Sequence, residues 1–269
     1  MIESAAYGAV TQIKMGRELD GRVLYWVAAY LVDGLLIDTG CSHTAAELLE
    51  YLRDRQPRDA IMTHYHEDHV GGCSLLQQKL NVKLWAYARS LPLLNSAPRL
   101  YPYQELVWGY PEPAAVQALP GDEFRTENCR FQVVETPGHS ADHVVLIEPS
   151  RGWCFSGDLF VSEKIKVLRP EEEIGGIMRS MRKLLDRGQD LVLFTAIGKI
   201  VPDGRRALSS CLAYLENLGR SVQLMHQEGF SENQIVERLF GGESSMADLT
   251  NGQFTTSNLI RSLLKSGLA

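Results

Sequence analysis

Residues 59–72 read DAIMTHYHEDHVGG, a short apolar strand that runs directly into His64, His66, Glu67, Asp68 and His69. Three imidazoles and a carboxylate, Asp68, within six residues are hard to explain as packing, because buried polar groups need partners. Whatever fold the chain adopts must bring the end of this strand to a place where those groups can meet a cation. His64 and His66 are two apart, so at the end of an extended segment they point the same way. Asp68 and His69 fall in the turn that follows, and Gly71 and Gly72 let that turn be tight. Imidazole and carboxylate are preferred ligands of zinc and other first-row metals. The spacing is not the helical HExxH of zinc peptidases, since position 70 is Val70 and the third imidazole is His69.

Around this segment the pattern is mixed β and α. Residues 23–32 and 35–37 flank Asp33-Gly34 and predict a hairpin with a two-residue turn. Ser42 is placed to cap a helix over 43–54, where Ala45, Leu48, Leu49 and Leu52 make an apolar stripe. A strand is predicted over 59–63, a helix over 71–80 and a strand over 82–87. Further strands follow at 131–135, 144–148, 153–156 and 191–194, with a helix over 171–186. From Asp203 the strand signals stop. Helices over 204–227, 231–240 (capped by Ser231) and 255–265 form a tail on the main body or a small helical subdomain.

Residues 91–120 differ in character. Pro92, Pro98, Pro102, Pro111, Pro113 and Pro120 alternate with Tyr101, Tyr103, Trp108 and Tyr110. Prolines this dense disfavour regular elements, so a long loop with a turn or two of helix is predicted. Long structured loops are commonly lids or binding loops. Tyr103 and Trp108 are the candidate substrate contacts. The alternatives are rings that pack the loop down, or an interface with a second copy of the chain in a homodimer.

The chain of 269 residues is 45% hydrophobic and 22% charged, the balance of a soluble globular protein of one or two domains. Disorder and a disulfide scaffold are excluded. With 27 basic and 33 acidic side chains the formal charge is −6, so a nucleic-acid partner is not expected. The longest apolar run, residues 23–32, is half of what a membrane-spanning helix needs, and no membrane partner is expected. The first ten residues lack a basic and apolar leader pattern. Five cysteines without CxxC spacing read as reduced thiols, which predicts a cytoplasmic protein.

The histidine segment resembles the HxHxDH motif of the metallo-β-lactamase superfamily. The resemblance continues in order through Asp38-Thr39-Gly40, Thr136-Pro137-Gly138-His139-Ser140 and Ser156-Gly157-Asp158, the first, third and fourth motifs. It implies an α+β class fold, a four-layer αββα sandwich over residues 1–205 with a C-terminal helical extension over 206–269. It also implies a first metal held by His64, His66, His139 and Asp158, and a second held by Asp68, His69 and Asp158. Asp38 would support the loop holding the histidines; its alternative is a cap on the following turn and helix. In the fifth motif, Thr195-Ala196-Ile197-Gly198 puts Ile197 where the family has a histidine. Ile197 cannot coordinate metal, so the second site should be weakened, leaving Asp68 to orient or deprotonate the water on a single metal.

The cofactor implied is one or two divalent ions, zinc first, with iron or manganese as alternatives. The function implied is hydrolysis of a small ester, thioester or lactone by metal-bound water, as in the glyoxalase II-like branch. Asp158, rather than a cysteine, in the fourth motif turns the reading away from antibiotic hydrolysis. The alternatives are RNA or phosphodiester cleavage, iron-dependent persulfide oxidation, and a ligand-binding protein that has lost turnover. His143 is expected to make a structural hydrogen bond, His43 and His226 to lie on the surface, and Cys41 and Cys73 to be inert buried thiols. Lys199 and Asp203, just past the fifth motif, are weaker candidates for the cleft.

Overall fold

The computed structural model describes residues 1–96 and 98–267, and they fall into two units. The first unit comprises Met1–Glu135, Asp142–Asp158 and Leu191–Pro202; the second comprises Thr136–Ala141, Leu159–Asp190 and the chain from Asp203 onward.

The first unit opens with an antiparallel pair that the residue pattern does not announce, β1 (Ile2–Tyr7) and β2 (Val10–Met15). Strand β1 is almost wholly exposed and carries small or polar residues, so it lacks the apolar alternation that marks a half-buried strand. A small ribbon, β3 (Glu18–Leu19) with β4 (Arg22–Val23), precedes β5 (Val27–Val32) and β6 (Leu35–Ile37). The predicted β5–β6 hairpin is present, with Asp33 and Gly34 both at positive φ (50° and 77°), as its two-residue turn requires. Its first strand begins at Val27 rather than at residue 23, and Leu24 and Tyr25 are exposed.

Strands β7 (Asp59–Met62), β8 (Lys83–Ala86) and β9 (Val116–Ala118) extend the sheet in the order β1-β2-β5-β6-β7-β8-β9. From β6 to β9 the pairing is parallel. A second sheet orders β10 (Glu123–Arg125), β11 (Arg130–Glu135), β12 (Val144–Glu148), β13 (Trp153–Gly157), β14 (Val192–Thr195) and β15 (Ile200–Val201). The core between the sheets joins Tyr30, Ile37 and Ile61 to Phe131, Phe155 and Phe194. Each large side chain buried there contributes about 1.5–3 kcal/mol. The Tyr30 hydroxyl donates to the Thr195 carbonyl at 2.6 Å, and the Ala28 N–H donates to the Ala196 carbonyl at 2.6 Å.

On the other face of the first sheet lie helix α1 (Ala45–Leu52), the short turn α2 (Glu67–Val70) and helix α3 (Cys73–Leu80). Leu48, Leu52 and Leu76 pack there with Ile13, Leu36, Ala60 and Leu84. Ser42 does not cap α1. It sits inside a 3-10 turn, Ser42–Thr44, and its buried hydroxyl makes no hydrogen bond, because Cys41 takes the extended conformation that precedes the turn. The proline-rich segment holds α4 (Leu91–Leu94), α5 (Pro102–Val107) and edge strand β9. Proline stands in the first turn of both helices, where its missing N–H costs nothing.

The second unit contains α6 (Ile174–Leu185), α7 (Gly204–Gln227), α8 (Glu232–Phe240), α9 (Ser245–Leu249) and α10 (Thr256–Lys265). Helix α6 packs on α7, and α10 packs on α6, α7 and α8. The helices after residue 205 therefore share a unit with α6 and with the third motif. Asp203 caps α7, and Ser231 forms a capping box with Gln234 at α8. None of the described helices is long and apolar enough to cross a membrane.

Glu243 caps α10, accepting from the Thr256 and Ser257 backbone N–H groups and from the Ser257 hydroxyl. Burial pushes its carboxyl up, but these bonds, with one from the Ser244 N–H, outweigh it and bring it down to about 2. A carboxyl with a depressed folded value stabilises the fold above the unfolded value of about 4.3 and loses that effect as pH falls towards 2. The site is exposed enough for solvent to screen the charge, so the contribution is that of an ordinary cap, about 1 kcal/mol. Glu243→Gln should lower the urea midpoint at pH 7, and the gap from the unmodified protein should narrow between about pH 4 and pH 2.

Candidate metal centre

The first-unit site residues follow the carboxyl ends of strands, Asp38 after β6, His64 after β7, Asp158 after β13 and Ile197 after β14. Asp38 adopts a left-handed conformation, φ 60°, with its N–H bonded to the Ile61 carbonyl. Its buried carboxylate accepts from the Thr63 N–H at 2.7 Å and the Thr63 hydroxyl at 3.0 Å, and meets His69 Nδ1 at 2.8 Å. Thr63 Oγ1 also lies 3.1 Å from His64 Nδ1. Asp38 thus fixes the His69 ring through one nitrogen and leaves the other for a ligand, the device by which carboxylates orient metal-binding imidazoles.

His69 is fully buried, and its Nε2 has no hydrogen-bond partner. Nε2 faces Asp68 Oδ2 at 3.7 Å and Asp158 Oδ2 at 3.6 Å. Burial lowers the ring's proton affinity, but the charges of Asp38 and Asp68 and the contacts with Asp158 and Asp38 hold it well above the usual histidine range. Two carboxylates aimed at one buried imidazole mark a place that calls for positive charge, and a divalent ion is the alternative to a proton. Donor atoms of Asp68, His69 and Asp158 lie within 4.8 Å of one another. So do donor atoms of His64, His66 and Asp158, with His64 Nε2 and His66 Nδ1 2.8 Å apart. Asp158 belongs to both sets. The residues fit one or two divalent ions.

His143 makes the structural hydrogen bond expected of it, its Nε2 accepting from the Asp158 N–H at 3.1 Å. That approach explains Gly157, where φ is 47° and a Cβ would stand 2.6 Å from His143 Nε2. Gly71 and Gly72 serve differently from the tight turn predicted for them. Both are in the right-handed helical region; a Cβ at Gly71 would stand 2.2 Å from the Ser42 backbone nitrogen, and one at Gly72 2.6 Å from the Thr39 carbonyl oxygen. They let the turn that carries Asp68 and His69 press against residues 39–42. Asp68 and His69 stand on α2 itself, with His66 at its N-cap.

His139 lies in the second unit, where its Nδ1 meets Glu172 Oε1 at 2.5 Å and Glu172 accepts the Arg169 N–H at 2.8 Å. Glu172 orients His139 as Asp38 orients His69, and sequence reasoning missed it. In a run of three glutamates at a helix start it reads as a solvated charge; only its burial, 8% exposed, sets it apart. Ile197 is half-buried in the turn after β14, which Gln12 pins through the Gly198 carbonyl at 3.0 Å. Asp203 is engaged as a helix cap, Lys199 is exposed, and His43 and His226 are surface residues. Cys41 bonds Thr44 and Cys73 bonds Thr39, and burial pushes both thiols up, Cys73 to about 12, which disfavours the reactive thiolate. Trp108 is 6% exposed in the core beneath α1 and α3, with Tyr103 half-buried against it, while Tyr101 and Tyr110 are exposed.

A model of the metallo-β-lactamase superfamily matches residues 27–196. "Beta-lactamase-like protein 2 homolog" of Drosophila melanogaster is 33% identical over 62% of this chain and 58% of its own length. "Hydroxyacylglutathione hydrolase GloC" of Haemophilus influenzae is 26% identical over 56% of this chain and 73% of its own. "Atrochrysone carboxyl ACP thioesterase" of Claviceps purpurea is 26% identical over 77% and 63%. The chain spans about 60% of the length of several such relatives. Among solved structures, a metallo-β-lactamase from Pontibacter korlensis superposes with a TM-score of 0.63 at 23% identity, over 81% of this chain and all of that one. A family protein from Thermus thermophilus gives 0.66 at 18% identity over 95% and 94%. The fold expected from the motifs is present.

Replacing Asp38 by Asn should weaken metal uptake by 10- to 100-fold, the usual cost of losing a carboxylate that orients a ligand. Competition with a fluorescent zinc chelator reads this directly, and an unchanged affinity would leave Asp38 with a folding role only.

Proposed function

The chain belongs to the metallo-β-lactamase superfamily, and from that premise we propose that it is a metal-dependent hydrolase of small thioesters, with esters and lactones as related substrates. The observation that carries this is the pair of donor sets sharing Asp158, one of them ending in the unbonded buried nitrogen of His69. On this reading His64, His66, His139 and Asp158 would hold a first divalent ion, zinc by donor type, and Asp68, His69 and Asp158 would hold a second more weakly. A bound ion supplies Lewis acidity, making water a nucleophile near neutral pH and stabilising an oxyanion.

The chain's own residues do the rest. Asp38 and Glu172 keep their histidines in the tautomer that leaves a lone pair for the ion. Asp68 orients the attacking water and takes its proton, while the thiolate leaves the carbonyl carbon. Ile197 adds no donor, so its turn offers an apolar wall where the superfamily pattern has a ligand. The thioester preference leans on relatives named as hydroxyacylglutathione hydrolase and as acyl-carrier-protein thioesterases. The net charge of −6 disfavours an RNA substrate. A reducing, cytoplasmic setting agrees with the five free buried cysteines. We carry residues 206–269 as a helical extension, and Tyr103 as the residue of the aromatic segment that contacts substrate.

A panel of acyl thioesters, aryl esters, lactones and a phosphodiester tests this, with and without chelator. Thioester turnover that chelation abolishes and zinc restores is expected. Asp68→Asn should cut that turnover by 10²–10⁴-fold while the first ion stays bound. Turnover confined to the phosphodiester would overturn the substrate class.

Ile197 generates a separate expectation. Ile197→His should raise bound metal from about one towards two per chain, because an imidazole there completes the second set. Two tightly bound ions in the unmodified protein would contradict a weakened second site. A protein that binds metal and thioesters yet turns nothing over would favour the ligand-binding reading that Ile197 itself motivates.

A further inference from the structure

Glu67 has no part in the metal reading, yet it is 4% exposed, between His66 and Asp68. Its Oε1 accepts from Gln104 Nε2 at 2.7 Å. Gln104 is itself 6% exposed, on α5 of the proline-rich segment. Its amide oxygen accepts the Tyr101 N–H at 2.8 Å, and its carbonyl accepts the Trp108 N–H at 2.8 Å. One side chain therefore closes the N-terminus of α5 and binds the turn that carries Asp68 and His69. On its other side that turn is held by the Thr39 N–H and hydroxyl on the His69 carbonyl, the Gly71 N–H on the Gly40 carbonyl and the Asp38 carboxylate on His69 Nδ1.

We propose that Gln104 is a positioning residue, whose buried amide seats α5 on Glu67 and through it fixes α2 with Asp68 and His69. Its effect on metal rests on the reading that Asp68 and His69 are ligands; the mechanical coupling does not. A neutral amide is the group this place requires. It donates to a carboxylate and accepts from a backbone N–H at once, which neither a carboxylate nor an alkyl chain can do. Losing it leaves Glu67 buried without that donor, so the turn shifts to rehydrate the carboxylate. Other ties among the described residues, His43 Nε2 to the Glu105 carbonyl at 2.9 Å, the His43 N–H to the Trp108 carbonyl at 3.3 Å and Arg17 to the Leu106 carbonyl, hold α5 and its C-terminal turn to other parts of the chain.

The experiment compares Gln104→Leu with the exchanged pair Glu67→Gln/Gln104→Glu. In the exchanged pair an amide at 67 donates to a carboxylate at 104, which still accepts the Tyr101 N–H. Backbone amide exchange is followed in the metal-stripped protein, and zinc affinity by titration. In Gln104→Leu, exchange should quicken together in 101–109 and 67–71, and affinity for the second ion should fall about 10-fold or more while the first is kept. The exchanged pair should restore both. Faster exchange in 101–109 alone, with zinc binding unchanged, would overturn the proposal, as would an exchanged pair no better than Gln104→Leu. If Gln104→Leu does not fold, the exchanged pair against Gln104→Glu, which sets two carboxylates face to face, decides on the same readouts. Wild-type protein that takes up no zinc would sink the metal reading, and the exchange data would still decide the coupling.

Discussion

The Asp38 carboxylate is the interaction on which the rest of the site depends. It accepts from the Thr63 backbone and hydroxyl and from His69 Nδ1, so one side chain ties the end of β6, the end of β7 and α2 together. Burying a carboxylate to this depth is costly unless every lone pair is used, and here residues 63–69 supply the donors. Remove that anchor and His69 loses its orientation and Thr63 loses the acceptor of its N–H. The left-handed backbone at Asp38 is a local strain kept because the surrounding bonds over-determine it.

Parallel pairing from β6 to β8, and from β13 to β14, is what brings the motifs to one end of their sheets. Residues far apart in sequence then follow strand ends that point the same way, the usual place for sites in sheets of this type. Small residues complete the arrangement where backbones press together, Gly157 against His143 and Gly71 against residues 41–42. Three oriented imidazoles and carboxylates would be of little use on a mobile loop. Held from β6, from β12 through His143 and from α5 through Gln104, they are pre-organised for an ion.

Much of this was legible in the residues because chemistry-bearing side chains are dense where strands end. The histidine segment, the hairpin at Asp33-Gly34 and the helices of the C-terminal region announce themselves by type and spacing, and the first four motifs by their order and resemblance to a family. Strands β1 and β2 do not, since β1 is exposed and its small side chains carry no alternation. Glu172 and Glu67 look like solvated charges until burial and partners are known. Gly71 and Gly72 suggested a turn, whereas their role is to admit a neighbouring backbone that no local pattern reveals. Trp108 could line a cleft or fill a core on sequence grounds; it fills the core on the helix side of the first sheet.

X-ray absorption at the zinc edge, on protein purified without added metal, bears most directly on the claim that these residues form a metal centre. The account predicts about one zinc per chain, four-coordinate or five-coordinate, with nitrogen and oxygen ligands at about 2.0–2.2 Å and the multiple scattering of three imidazoles. A zinc signal dominated by sulfur at about 2.3 Å, or protein that holds no first-row metal at all, would contradict it.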